Sequence, residues 1–259
     1  MNDSILVERS DNVATVILSN PAKLNALTLN MWQSLGDAFI SLSDEPDVRC
    51  VVLRGQGDQA FAAGADVEEF TRVRAGTEQA RHYADTAHRA MRSIAECRHP
   101  TIAAIKGACV GGGLEIASNC DLRLSARSSR FGVPVKRLGL VMSYSDLHGL
   151  LTLAGRAGAL EILLEGRIFD AEEALQKGLL TRVIDDVEFE TDVARAVERV
   201  VSGAPLVARW HKKFINRLTP KPELTEQELA ECYACFDTED YKIGYQAFLD
   251  KTRAEFIGQ

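Results

Sequence analysis

The stretch TIAAIKGACVGGGLEIASNCDLRLSA, residues 101–126, constrains the fold more than any other part of the chain. An apolar, β-branched run at 101–110 follows His99-Pro100, and proline pushes its predecessor into extended backbone. That run reads as a strand. Gly111, Gly112 and Gly113 then lead into a helix that carries Glu115 near its start, and 120–126 alternates as a further strand. Strand-like runs at 12–19 and 48–55 precede it. Between them, helical periodicity fills 28–44, with Thr28 as N-cap, and 77–96, with Ala80, Ala84, Ala87 and Met91 on one side. Strands alternating with helices predict an α/β fold with parallel strands. A second strand following closely within a unit would make the sheet something other than simply doubly wound.

Past about residue 190 the pattern changes. The runs 190–205, 206–218 and 225–256 read as helices, punctuated by Pro205, Pro220 and Pro222. The expected organisation is a core over 1–190 and a helical region over 191–259. That region holds Leu224, Leu229, Tyr233, Phe236, Tyr245, Phe248 and Leu249, which need a surface to cover them, on this core or on another subunit.

Charge and cysteine usage narrow the function. Lys and Arg number 30 against 37 Asp and Glu, a net charge of −7, with no dense basic run, which disfavours a nucleic-acid surface. No basic segment leading into an apolar stretch opens the sequence, so no secretory signal is expected. No run of about 18 apolar residues is read as a membrane span. A soluble, cytoplasmic protein is the expectation. Cys50, Cys109 and Cys120 lie in or beside apolar runs and read as small core residues. Cys232 and Cys235 form a lone CxxC without a second pair, so no metal site is expected.

Glycine inside an element costs roughly 0.5–1 kcal/mol relative to alanine, so three in a row mean that something approaches the backbone. Phosphate is disfavoured, because the spacing matches neither GxGxxG nor a P-loop. The other use of N–H groups at such a turn is to hold a developing oxyanion. A second turn, FAAGADVEEF at 61–70, follows the strand at 48–55 and offers the Ala65 N–H. Glu115 has two readings: a first-turn carboxylate complementing the helix dipole, or an acid/base group.

The segments LNALT (24–28), AFAAGAD (60–66), GACVGGGLEIASNCDLRLSA (107–126), FGVPVKRLGL (131–140) and AEEALQKGLLTRVI (171–184), with the C-terminal EDYKIGYQAFLDKTRAEFIG, resemble the enoyl-CoA hydratase/isomerase, or crotonase, family over nearly the whole chain. The resemblance implies a spiral of ββα units, a helical C-terminal trimerisation region and a homotrimer or homohexamer. It implies an acyl-CoA thioester as substrate, with coenzyme A part of that substrate and no separate cofactor. Ala65 and Gly112 match the oxyanion-hole positions, and Glu115 matches one of two hydratase glutamates. Ala22, Lys23, Leu24 and Ala63 fall where the family wraps adenine and ribose. Phe248 and Lys251 resemble residues that reach CoA on a neighbouring subunit.

The second hydratase glutamate is absent. Pro134 is followed by Val135, which cannot move a proton and is expected to line the pocket. The loop at 139–150 departs from the family too, and offers Ser143, Tyr144, Asp146 and His148 in its place. Asp146 is the only carboxylate among them, and it also reads as a cap for the next helix. His148 reads as a packed helix residue, Asp66 as an organiser of its loop, and Asp121 as a holder of the turn into the strand after it. The leading expectation is an enoyl-CoA hydratase or isomerase that stabilises a thioester enolate. The alternatives are an acyl-CoA decarboxylase or thioester hydrolase of the same fold, and a non-catalytic CoA-binding or RNA-binding relative.

Overall fold

The computed structural model describes residues 3–219, 223–231 and 233–258. Strand β1 (Ser4–Ser10) pairs antiparallel with β2 (Val13–Ser19). Helix α1 (Leu29–Asp44) then starts at Thr28, whose Oγ1 accepts from Met31 N at 3.3 Å. From there the chain repeats one step: a strand in a first sheet, a short strand in a second sheet, then helix. The first repeat is β3 (Cys50–Gly55), β4 (Ala60–Ala62), α2 (Phe70–Val73) and α3 (Thr77–Glu96). The next is β5 (Thr101–Ile105), β6 (Ala108–Val110) and α4 (Gly112–Ser118). The third is β7 (Leu122–Ala126), β8 (Arg130–Gly132) and α5 (Tyr144–Glu165). Strand β9 (Phe169–Asp170), α6 (Ala171–Gln176), β10 (Arg182–Ile184) and α7 (Phe189–Val201) complete the winding.

The first sheet runs β1-β2-β3-β5-β7-β10, parallel from β2 onward, and the second runs β4-β6-β8-β9. This is the spiral of ββα units that the resemblance implies. One expectation needs correction: 101–110 is two strands, not one. Gly107 takes φ +67, and a Cβ there would lie 2.0 Å from the Gln59 carbonyl oxygen, so the chain bends at Lys106-Gly107 and crosses from one sheet to the other.

One face of the first sheet packs Cys50, Val52, Ile102 and Leu124 under Phe189, Val193 and Ala196 of α7. The boundary expected at 190/191 thus falls inside a helix that covers the sheet. The other face packs under α1 and α3 through Trp32, Leu35, Phe39, Met91 and Ile94. Helix α8 (Pro205–Leu218) is anchored by Lys212, whose Nζ lies 2.9 Å from Asp121 and donates to the His99 carbonyl at 3.2 Å. Asp121 also accepts from Thr101 N at 2.7 Å, and so holds the turn into β7.

The 225–256 run is broken rather than continuous. It forms α9 (Glu226–Glu231), a 3-10 turn (Ala234–Asp237) and α10 (Glu239–Leu249), because the Thr238 side chain accepts from Tyr241 N at 3.1 Å and starts a new helix. Cys232, half of the CxxC pair, and Pro220 and Pro222 lie outside the described residues. Among the described helices, α5 has the length and composition to cross a membrane, a segment the sequence reading did not single out. It breaks at Gly155 (φ +63, ψ 176) and packs on α4.

Candidate active site

The two glycine turns meet. After β4, Gly64 takes φ +99. Leu27 N donates to the Gly64 carbonyl at 2.8 Å and Asp66 N donates to the Leu27 carbonyl at 2.8 Å. Those two bonds bracket Ala65 in a parallel bridge, which turns its own N–H away from Leu27. After β6, Gly111 takes φ +52 and ψ −122, and Gly112 opens α4. The N–H groups of a helix's first turn have no acceptor within the helix; the first such bond here is Glu115 N to the Gly111 carbonyl, 3.0 Å. A Cβ on Gly64 would lie 3.4 Å from Gly112 N, and one on Gly113 would lie 2.2 Å from the Ala62 carbonyl oxygen. Gly113 is therefore needed for the close approach of α4 to β4, and Gly64 for its positive φ. Neither Ala65 N nor Gly112 N donates to a backbone acceptor among the described residues.

Two carboxylates, Glu115 on α4 and Asp146 on α5, are near enough for their charges to interact. Helices α4 and α5 touch where a Cβ on Gly149 would lie 3.0 Å from Ser118 Cβ, and Glu115 and Asp146 are each three residues earlier. Burial, and then the charge of Asp146, push the Glu115 carboxyl well above the usual glutamate range, against the weaker pull of Arg74. Burial also acts to raise Asp146, but hydrogen bonds and charge from His88, with further bonds from Ser143, outweigh it and hold Asp146 below its ordinary value. The Ser143 hydroxyl donates to Asp146 Oδ2 at 2.8 Å, and Ser143 N donates to the same oxygen at 3.0 Å. His88 Nε2 lies 2.9 Å from both Asp146 Oδ1 and Ser143 Oγ. With the Ser143 proton committed to Asp146, Nε2 is the donor in both contacts. Asp146 is thus the capping-box partner of Ser143 and also the charged neighbour of Glu115.

The remaining expected residues fall into four groups. Ala22, Lys23 and Leu24 form a 3-10 turn (Pro21–Lys23) and its cap, joined to the second loop where Ala63 N donates to the Leu24 carbonyl at 3.0 Å. Lys23 pairs with Asp66 at 2.7 Å and Glu68 at 2.8 Å, and these partners push its ammonium pKa up. Asp66 orders this loop, also accepting from Glu68 N at 3.2 Å. Val135 opens a 3-10 turn (Val135–Leu138) and packs with Ala65 around Phe70 and Leu140. Tyr144 is the first residue of α5, and His148 lies within that helix. Phe248 lies near the end of α10 (Glu239–Leu249) and Lys251 just beyond it. Helix α10 packs through Tyr241 and Tyr245 on Phe236 and Phe70 of its own chain, and Phe248 is left 52% exposed.

Sequence reasoning missed His88, Trp32, Tyr83 and Arg74. Trp32 Cζ2 lies 3.2 Å from where a Gly112 Cβ would be, and its Nε1 donates to the Tyr83 hydroxyl at 2.7 Å. The Arg74 guanidinium lies 3.9 Å from the Tyr83 ring centroid. For His88 a signal was present: it is four residues after Ala84, on the apolar side of α3.

A family model described as enoyl-CoA hydratase/isomerase matches residues 8–259. A crotonyl-CoA hydratase from Syntrophomonas wolfei is 30% identical over 259 residues, covering 99% of each chain. A solved enoyl-CoA hydratase/carnithine racemase from Magnetospirillum magneticum is 47% identical with a TM-score of 0.83, covering 100% of this chain and 97% of that one. A methylmalonyl-CoA decarboxylase in complex with 2-nitronate-propionyl-CoA is 28% identical with a TM-score of 0.89, covering 98% of each.

Proposed function

Since this chain belongs to the enoyl-CoA hydratase/isomerase family, we propose that it hydrates a 2-enoyl-CoA thioester, with Ala65 and Gly112 N–H holding the thioester oxygen and Glu115 and Asp146 dividing the proton transfers. The observation that carries this reading is the pair of neighbouring carboxyls driven in opposite directions, Glu115 up and Asp146 down. Two titratable groups whose surroundings separate them in this way form an acid and a base. Asp146, ionised and fixed by His88 and Ser143, takes a proton from water as its oxygen bonds to the β-carbon. The thioester oxygen becomes an oxyanion on the two N–H groups, each worth about 3–4 kcal/mol to the transition state. Glu115 gives its proton to the α-carbon, and the proton on Asp146 returns to Glu115. Val135 contributes only an apolar wall.

Mass spectrometry of crotonyl-CoA incubated with the enzyme should show the gain of one water. Glu115→Gln should lower kcat by about a hundredfold or more, the contribution of a positioned acid. In residual Asp146→Asn activity, the alkaline limb of the pH profile should move to lower pH. Burial still raises the Glu115 carboxyl, but the added push from the Asp146 charge is then gone. Glu115→Gln with wild-type turnover would reject the assignment.

A second reading, decarboxylation, is favoured by the high TM-scores, 0.87–0.89, to methylmalonyl-CoA decarboxylase structures. Loss of carbon dioxide from a malonyl-type thioester leaves the same enolate on the same N–H groups and needs only an acid at the α-carbon. Release of carbon dioxide from methylmalonyl-CoA, with no water added to crotonyl-CoA, would put this reading first.

A further inference from the structure

Arg74 caps α2, and its guanidinium lies in a cage of rings, 3.9 Å from the Tyr83 centroid, 4.5 Å from Phe70 and 5.9 Å from Phe236. Among the described residues no carboxylate lies within ion-pair distance of it, and its Nε is buried without a hydrogen-bond partner. A cation held this way is unusual. Ring faces attract a guanidinium, but they do not replace the planar, two-toothed acceptor that an arginine fork fits best. Nor does Glu115 fill that place: it is near enough for the two charges to interact, but not within ion-pair distance of the guanidinium.

The position of Arg74 indicates what would. Trp32 touches the Gly112 turn, and Tyr83 is hydrogen-bonded to Trp32 and carries Arg74 on its face. The Phe70 ring under Arg74 belongs to the cluster that includes Ala65 and Val135. Arg74 is therefore one indole and one phenol ring beyond the Gly112 turn, and near enough to Glu115 for their charges to interact. We propose that Arg74 receives a second, distal carboxylate, so that the preferred substrates are CoA thioesters of dicarboxylic acids. The proposal rests on the acyl-CoA reading of the site given above. The carboxylate it binds is one that is kept. A guanidinium stabilises the ionised ground state, and so opposes departure of that carboxylate as carbon dioxide.

Glutaryl-CoA and pentanoyl-CoA have the same chain length and differ in the terminal carboxylate, and neither carries the double bond that would be hydrated. Titration calorimetry with the wild-type protein should show glutaryl-CoA binding at least about tenfold more tightly, in line with a charge-assisted pair. Arg74→Gln should collapse that ratio to about one, and Arg74→Lys should keep part of it. A purely structural arginine would lower the melting temperature in Arg74→Gln and leave the ratio unchanged, which would overturn the proposal. So would equal or weaker binding of glutaryl-CoA to the wild type, a comparison that does not depend on the variant folding. Binding of pentanoyl-CoA without preference would reject the Arg74 assignment alone. Binding of neither thioester would reject the acyl-CoA reading with it.

Discussion

Glu115 stands in the first turn of α4, where the helix dipole favours a negative charge by about 0.3–1 kcal/mol. A glutamate placed there to serve the dipole would be held at or below its ordinary pKa. Burial and the neighbouring Asp146 instead push it well above, so these effects exceed the dipole, and the direction favours the proton-transfer reading. The same shift has a consequence for stability. Where the folded pKa exceeds the unfolded one, both states are protonated below about pH 4. As pH rises toward the folded value, only the unfolded chain gives up its proton readily, and stability falls. Glutamine has no proton to lose. Glu115→Gln should therefore melt near the wild type at about pH 4 and increasingly above it toward pH 8, each kcal/mol showing as about 2–4 °C. Thermal melts across that range check it; a constant difference would mean that Glu115 is not strained in the fold. Glu115, Ala65 and Gly112 stand out in the sequence because they lie at or beside glycine turns local in the chain. His88 and Arg74 do not, because each is defined by contact with a distant segment: His88 with Asp146, and Arg74 with Tyr83 and Phe70.

Element boundaries followed the sequence where capping or periodicity was strong. Thr28 and the apolar face of 77–96 placed α1 and α3 closely. The short strands β4, β6, β8 and β9 have two or three residues each, too few for an alternating pattern to register. Their place in the spiral came from the family resemblance instead. The C-terminal run reads as helical throughout because its apolar residues keep helical spacing through Thr238, where capping starts a new helix. Helix α10 is seated by close approach as well as by its aromatic contacts: a Cβ on Gly244 would lie 2.5 Å from the Leu138 carbonyl carbon. Gly244→Ala should thus lift α10 from the Val135 turn, costing about 1–3 kcal/mol as overpacking does. Limited proteolysis should then cut first between α9 and α10, leaving the spiral intact. Wild-type resistance there would mean that the turn yields instead.

At the scale of the whole molecule, the chain covers one face of α8 and leaves the other open. Lys212 binds the inner face to Asp121. Leu206, Val207, Trp210, Phe214 and Leu218 recur at helical spacing on the outer side, with Trp210 53%, Phe214 56% and Leu218 81% exposed. Aromatics of about 150–250 Å² each, half uncovered beside three exposed aliphatic side chains, approach the largest patch usual on a monomer, roughly 300–600 Å². Leu151, Leu160 and Leu164 on α5 add further apolar surface. We propose that these faces close a homotrimer, or a dimer of trimers, as the family resemblance implies. An oligomer would also give Phe248 and Lys251 a role, since they lie at and just past the C-terminal end of α10, with Phe248 half exposed. Light scattering at micromolar concentration should give a trimer or hexamer, and Trp210→Glu combined with Phe214→Glu should give a monomer, because two carboxylates cannot be buried unpaired at an apolar contact. A wild-type monomer would remove the interface altogether. In the wild-type oligomer, Lys251→Ala should raise KM for acyl-CoA with little change in kcat, since a group that meets only the nucleotide end binds ground and transition states alike. The same substitution in the monomeric double variant should have no further effect on KM. If Lys251 acted on its own chain's substrate, the increase would persist in the monomer.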